Sequence, residues 1–115
     1  MKEGDVVLAA VPQADGKTKL RPVILLREMP RYYDLLVCIV STQLHQQVPD
    51  FDEIISPKDQ DFASTGLVSE SLIRLAALAL VLNRDVTGVI GSISSARHQR
   101  LLQRLSEYLV KSKFF

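Results

Sequence analysis

Lys17-Thr18-Lys19-Leu20-Arg21-Pro22-Val23-Ile24-Leu25-Leu26 runs a basic arm into a wholly apolar strand. Pro22 bars the residue before it from the helical region, so Arg21 is extended and its side chain leaves the backbone in a set direction. Proline also donates no ladder hydrogen bond, which suits the first residue of a strand. The stretch therefore predicts a sheet strand over residues 22–26 with a guanidinium at its mouth. A planar fork of donors placed there matches two oxygens of a phosphate; the other use of such an arginine is to bond nearby loop carbonyls.

Towards the N-terminus, residues 5–11 (DVVLAAV) are β-branched and apolar on both faces, as in a strand buried on two sides or curled inside a small barrel. Pro12 ends it, and residues 13–19 read as a mobile polar loop with a turn at Asp15-Gly16. Towards the C-terminus, Met29-Pro30-Arg31-Tyr32-Tyr33-Asp34 separates the first strand from another, residues 35–41 (LLVCIVS), at a length that suits a hairpin. If those two strands pair antiparallel about Arg31, Arg21 falls opposite Ser41. Directly opposed Cβ atoms lie about 5 Å apart, so guanidinium and hydroxyl could hold one phosphate, with Thr42 or Gln43 as substitutes if the register slips.

The second half is less regular. Residues 52–55 predict a short strand, and Ser56-Pro57-Lys58-Asp59 predicts the capped start of a helix of about two turns that Gly66 stops. Asp59 and Asp61 are expected to serve the cap and solvent, since two residues apart on a helix they diverge. Residues 72–82 (LIRLAALALVL) fit helix by composition and strand by position, with Arg74 as their one charge. Residues 86–93 predict the last strand, where Gly88 and Gly91 permit a bend or a close approach of backbone. Ser94 caps a terminal helix with Leu101, Leu102, Leu105, Tyr108 and Leu109 on one face. The opposite face, Arg97, Arg100, Arg104 and Lys111, reads as solvated, with Glu107 spaced to pair with Lys111. His45 and His98 have no partner at ligand spacing, so no metal site is expected.

At 115 residues and 47% apolar, the chain fits one domain over residues 1–115. Its apolar runs fall short of the roughly 20 residues a membrane helix needs, and its N-terminus lacks a signal-peptide profile. Cys38 is alone and inside an apolar run, which reads as a buried hydrophobe in a reducing, cytoplasmic setting. A net charge of +1 gives nucleic-acid binding no support, so any such function rests on local placement of charge. Apolar surface on both sides of several strands predicts a two-fold dimer.

The ordered set Gly4-Asp5-Val6-Val7, Arg21-Pro22-Val23, Ser41-Thr42-Gln43, Ser71-Leu72-Ile73-Arg74-Leu75 and Ile90-Gly91-Ser92-Ile93-Ser94 resembles the MazF/PemK toxin family over nearly the whole chain. The resemblance implies a mainly β fold, a small, strongly bent Src-homology-3-like barrel with a short helix after the fourth strand and a C-terminal helix. It implies a homodimeric, metal- and cofactor-independent endoribonuclease that cleaves single-stranded RNA. It also implies a cognate antitoxin whose tail covers the RNA groove, and operator DNA as a partner of the toxin–antitoxin complex. By resemblance, Arg21 matches the catalytic arginine, Ser41 stands where threonine is usual, and Arg74 matches an arginine acting on the cleaved phosphate. Lys17, Lys19, Thr42 and Gln43 are the expected RNA contacts. Where the family carries an acid two residues after that second arginine, this chain has Ala76, and the first-loop histidine of some members is missing from residues 13–19. The expectation is a slow ribonuclease that Ala76→Asp would accelerate, or a non-catalytic binding module on the same fold.

Overall fold

The computed structural model describes residues 1–111. Six strands form one antiparallel sheet: β1 (Asp5–Pro12), β2 (Thr18–Glu28), β3 (Leu35–Ser41), β4 (Glu53–Ile55), β5 (Ser71–Val81) and β6 (Val86–Ser92), in the order β4-β5-β3-β2-β1-β6. One helix, α1 (Ser95–Val110), follows. The architecture is mainly β and barrel-like, as the resemblance implies. Among the described residues, no helix is long and apolar enough to cross a membrane.

Alternation along the strands buries both faces of the sheet. Ile24, Leu26, Cys38, Val40, Ile73 and Leu75 pack with Leu101 and Leu105 of α1, while Val7, Ala9, Val11, Val23, Leu25 and Val37 form a second cluster on the other face. Successive residues of one strand serve opposite clusters, which is why residues 5–11 and 22–26 show no polar face. Burial pushes the Cys38 thiol up to about 12, so it stays a protonated core side chain.

Two local outcomes differ from the sequence expectation, and a third settles an alternative that it left open. Residues 13–19 are not a long mobile loop: β2 begins at Thr18, and the hairpin is closed by Gln13 N–H donating to the Lys17 carbonyl (2.6 Å), with Gly16 at φ +83°. Residues 72–81 resolve as strand, because β3 and β4 flank Ser71–Val81 and satisfy most of its backbone; Leu82 lies just beyond it. The helix expected after Ser56 is a series of turns ending in a 3₁₀ turn, Ala63–Thr65, closed by Gly66 at φ +74°. Asp59 does accept from the Ser56 N–H (2.8 Å), but Asp61 is drawn away to α1. Gly91 is needed for close approach: a Cβ there would overlap the Ser64 and Thr65 backbone.

The basic face of α1 is only partly solvated: Arg97 is buried and Arg104 half-buried in ion pairs, while Arg100 and Lys111 stay exposed. Arg97, 6% exposed, donates to Asp61 through Nε (2.9 Å) and Nη2 (3.1 Å) and to Glu53 through Nη1 (2.8 Å), and Asp61 also takes the Ser94 N–H (3.0 Å). Arg100 Nε and Arg104 Nη1 reach the other Glu53 oxygen at 2.7 and 3.0 Å. The residues recur at i, i+3 and i+7, which stacks them on one helix face. Glu107 accepts from Gln103 rather than pairing with Lys111. The Arg97 hydrogen bonds hold the Asp61 carboxyl down at about 2, and three guanidiniums outweigh burial to hold Glu53 below its ordinary value.

Arg97→Ala strands buried carboxylates and should cost about 3 to 5 kcal/mol in urea unfolding. Because the Glu53 and Asp61 values are depressed on folding, their contribution is complete above the ordinary carboxyl values of 4.5 and 3.8 and is lost as pH falls towards about 2. Urea midpoints should drop across that window in the parent and much less in Arg97→Ala; parallel pH profiles would contradict the assignment.

Candidate functional site

Three neighbouring strands bring the site residues together. In the middle strand Ile39 faces Val23 of β2 on one side and Arg74 of β5 on the other. Arg21 and Ser41 each lie two residues from that pair, so the period of two aims all three side chains to one face. The register between β2 and β3, Val23 to Ile39, Ile24 to Cys38 and Leu25 to Val37, is the one that symmetric pairing about Arg31 gives. Nearer the turn a bulge shifts it by one residue, so that Arg27 faces Leu36.

A cavity of about 260 Å³ is lined by Arg21, Ile39, Ser41, Gln43 and Arg74, together with Pro12, Gln13, Ala14 and Gln46. A second, about 310 Å³, shares Arg21, Ser41 and Gln43 and adds Lys19 and Thr42 on its rim and Leu20, Leu67 and Val68 on its apolar side. The two make one cleft across the end of the sheet. Lys17 is exposed on the β1–β2 hairpin and lines neither cavity.

Both arginines are half-buried, and the Nε of each is buried without a partner among the described residues. Leaving such a donor unmatched costs about 1 to 3 kcal/mol, a cost that an anion in the cavity would remove. The Ser41 hydroxyl accepts from the Gln43 N–H (3.0 Å), which leaves its own hydrogen to donate into the cleft. Arg21 Nη2 donates to Gln13 Oε1 (3.3 Å). The residues lining the two cavities include no carboxylate and no imidazole. Chemically the cleft can receive a negatively charged group, with donors and cations and, among the described residues, no carboxylate or imidazole in its lining.

Position 76 is elsewhere. The β3–β5 ladder jumps from Cys38 facing Leu78 to Ile39 facing Arg74, so Leu75, Ala76 and Ala77 lie in an irregularity without partners on β3. The Ala76 N–H donates instead to Asp52 Oδ1 (3.0 Å), whose other oxygen takes the Val48 N–H (2.9 Å). Ala76 lines a separate apolar groove of about 460 Å³ with Phe51, Leu75, Tyr108 and Leu109. The expectation that an acid at 76 would stand beside Arg74 is therefore corrected: the irregular ladder breaks the two-residue period on which it rested. Sequence reading missed Gln13 and Gln46 as lining residues. The Asp15-Gly16 turn, treated as a hairpin centre, would have placed Gln13 across from Lys17 and close to Arg21.

A curled six-stranded antiparallel sheet with a terminal helix and a two-arginine cleft defines a small barrel of the MazF/PemK kind. The chain belongs to the PemK-like, MazF-like toxins of type II toxin–antitoxin systems, whose family profile matches residues 2–109. Comparison with curated proteins finds no match. Membership implies a toxin role and a cognate antitoxin.

Because Cys38 is fully buried and its thiol raised, iodoacetamide should label it only after unfolding. Labelling of the folded protein at the rate of a free thiol would contradict its place in the core.

Proposed function

We propose that this toxin is a metal-independent endoribonuclease acting on single-stranded RNA, with the scissile phosphate held between Arg21 and Arg74. The observation that carries this reading is the pair of guanidiniums lining one cavity, each with an unpartnered Nε, beside a hydroxyl with a hydrogen to give. Cleavage requires the 2′-oxygen to attack phosphorus in line, forming the 2′,3′-cyclic phosphate as the 5′-oxygen leaves. Charge then accumulates on the non-bridging oxygens, where the guanidiniums and Ser41 stabilise it. Lys19, Thr42 and Gln43 contact the flanking nucleotides, and Lys17 steers the strand from the hairpin. The toxin works in the cytoplasm as a homodimer, which covers exposed apolar residues such as Leu80 and Val89, and the antitoxin silences it by lying over the cleft.

A guanidinium stays protonated at ordinary pH and cannot take the 2′-proton. With no carboxylate or imidazole among the described residues that line the cleft, the proton leaves to solvent hydroxide, and the enzyme forgoes the roughly 10²- to 10⁴-fold that a positioned base supplies. The same lack favours a second reading, a non-catalytic module that binds antitoxin or nucleic acid through the cleft.

With chelator present, purified protein should cut single-stranded RNA slowly to 2′,3′-cyclic phosphate ends, and Arg21→Ala or Arg74→Ala should lose at least about a hundredfold in rate. The parent rate should rise about tenfold per pH unit between pH 6 and 8, as hydroxide does. A bell-shaped profile would show a titrating base and end the hydroxide mechanism. An Arg21→Ala protein as fast as the parent would remove the site, and a parent that binds antitoxin but never cuts would leave the binding module. Ala76→Asp should give no acceleration, since its carboxylate enters the apolar groove.

A further inference from the structure

Arg21 does not set its own direction. Its Nη2 donates to Gln13 Oε1 at 3.3 Å, and the Gln13 amide is itself fixed because Nε2 donates to the Val11 carbonyl at 3.2 Å. Only one orientation of the amide serves both contacts. Flipped, it would set oxygen against the Val11 carbonyl and an NH₂ group against the guanidinium. The backbone of Gln13 is fixed as well, since its N–H and C=O close the β1–β2 hairpin with Lys17 and Gly16. A half-buried side chain on a short hairpin thus ends in an acceptor aimed at one arginine, inside the cavity that the arginine lines.

The strength of that contact is as informative as its place. A neutral amide oxygen at 3.3 Å is a modest acceptor, whereas an ionised oxygen makes bonds roughly twice as strong. A guanidinium held by Gln13 is restrained when the cavity is without an anion and is released to a better acceptor when one arrives. Its buried, unpartnered Nε lies on the same guanidinium, so two donors become available to one phosphate. Resting on the phosphate-clamp reading above, we propose that Gln13 is the positioning residue of Arg21: its amide oxygen pre-aims the guanidinium in the free protein and cedes Nη2 to the RNA phosphate on binding.

Two substitutions isolate the acceptor, because both lose the bond to Val11 while differing at the end that faces Arg21. Gln13→Met has no acceptor there and leaves the guanidinium unaimed; Gln13→Glu offers a carboxylate that competes with phosphate. The probes are a fully 2′-O-methylated, mixed-sequence single-stranded oligonucleotide for binding and a ribo-oligonucleotide of the same sequence for cleavage. Gln13→Met should weaken oligonucleotide binding and raise KM about tenfold with kcat within about twofold, the signature of aim lost in the free protein and restored only at a cost on binding. Gln13→Glu should weaken binding about tenfold or more, and the slope of log affinity against log salt should become shallower by about 0.7, one phosphate contact on a single strand. Thermal midpoints of both variants should match the parent. Parental affinity and KM in Gln13→Met, or a Gln13→Glu protein with parental affinity and salt slope, would overturn the inference. So would faster cleavage by Gln13→Glu, which would make position 13 a base site instead. If the parent cuts nothing, the binding arm still decides. Arg21→Ala separates the two levels: unchanged binding there removes the clamp itself, whereas loss there with unaffected Gln13 variants removes only this role for Gln13.

Discussion

The fold is tied together by one buried guanidinium. Arg97, on the first turn of α1, bonds Asp61 in the turns before β5 and Glu53 at the start of β4. Three charges taken from water are tolerable only when each is matched, and here Glu53 is further neutralised by Arg100 and Arg104. The arrangement holds the helix against the sheet so that Leu101 and Leu105 cover one apolar face. It also occupies Arg97, Arg100 and Arg104 with carboxylates, whereas Arg21 of β2 and Arg74 of β5 line a cavity without one among the described residues.

A second constraint decides what the cleft lacks. Leu75, Ala76 and Ala77 have no partners on β3, and the Asp52 carboxylate, 4% exposed, supplies an acceptor for the Ala76 N–H. Backbone donors that a ladder leaves over must be met, and a buried side chain does it here. The consequence is spatial. Arg74 turns to the polar cleft and Ala76 to the apolar groove beside Tyr108 and Leu109. Among the described residues, a cleft assembled this way gathers cations, amides and hydroxyl groups but no carboxylate or imidazole.

The cleft is a product of register more than of any motif. Arg21, Ser41, Arg74 and Gln13 come from β2, β3, β5 and the β1–β2 hairpin, and none of these four is adjacent in sequence to another. Ile39 carries the arrangement, since it pairs on both sides and so aligns Arg21, Ser41 and Arg74 on one face. Any slip of one residue would turn one of them to the opposite face. Two opposed apolar clusters resist such a slip, because it would exchange the contents of both at once.

What the sequence determined by itself is what short-range chemistry controls. Pro22 fixed the extended state of Arg21, Ser94 and its run of leucines fixed the start and face of α1, and the spacing about Arg31 fixed the β2–β3 register. Each depends on neighbours within one hairpin or one helix. What only the tertiary structure decided depends on groups far apart in the chain. Residues 72–81 are strand because β3 and β4 are there to pair with them. Asp61 bonds Arg97, distant in sequence, rather than serving a helix cap or solvent. Ala76 left the face of Arg74 because Asp52 could satisfy an irregular ladder. Gln13 entered the site because two strands closed a hairpin tightly enough to aim it. Periodicity describes an isolated strand or helix, whereas the partners that bend, pair or redirect it are fixed only once the chain has closed on itself.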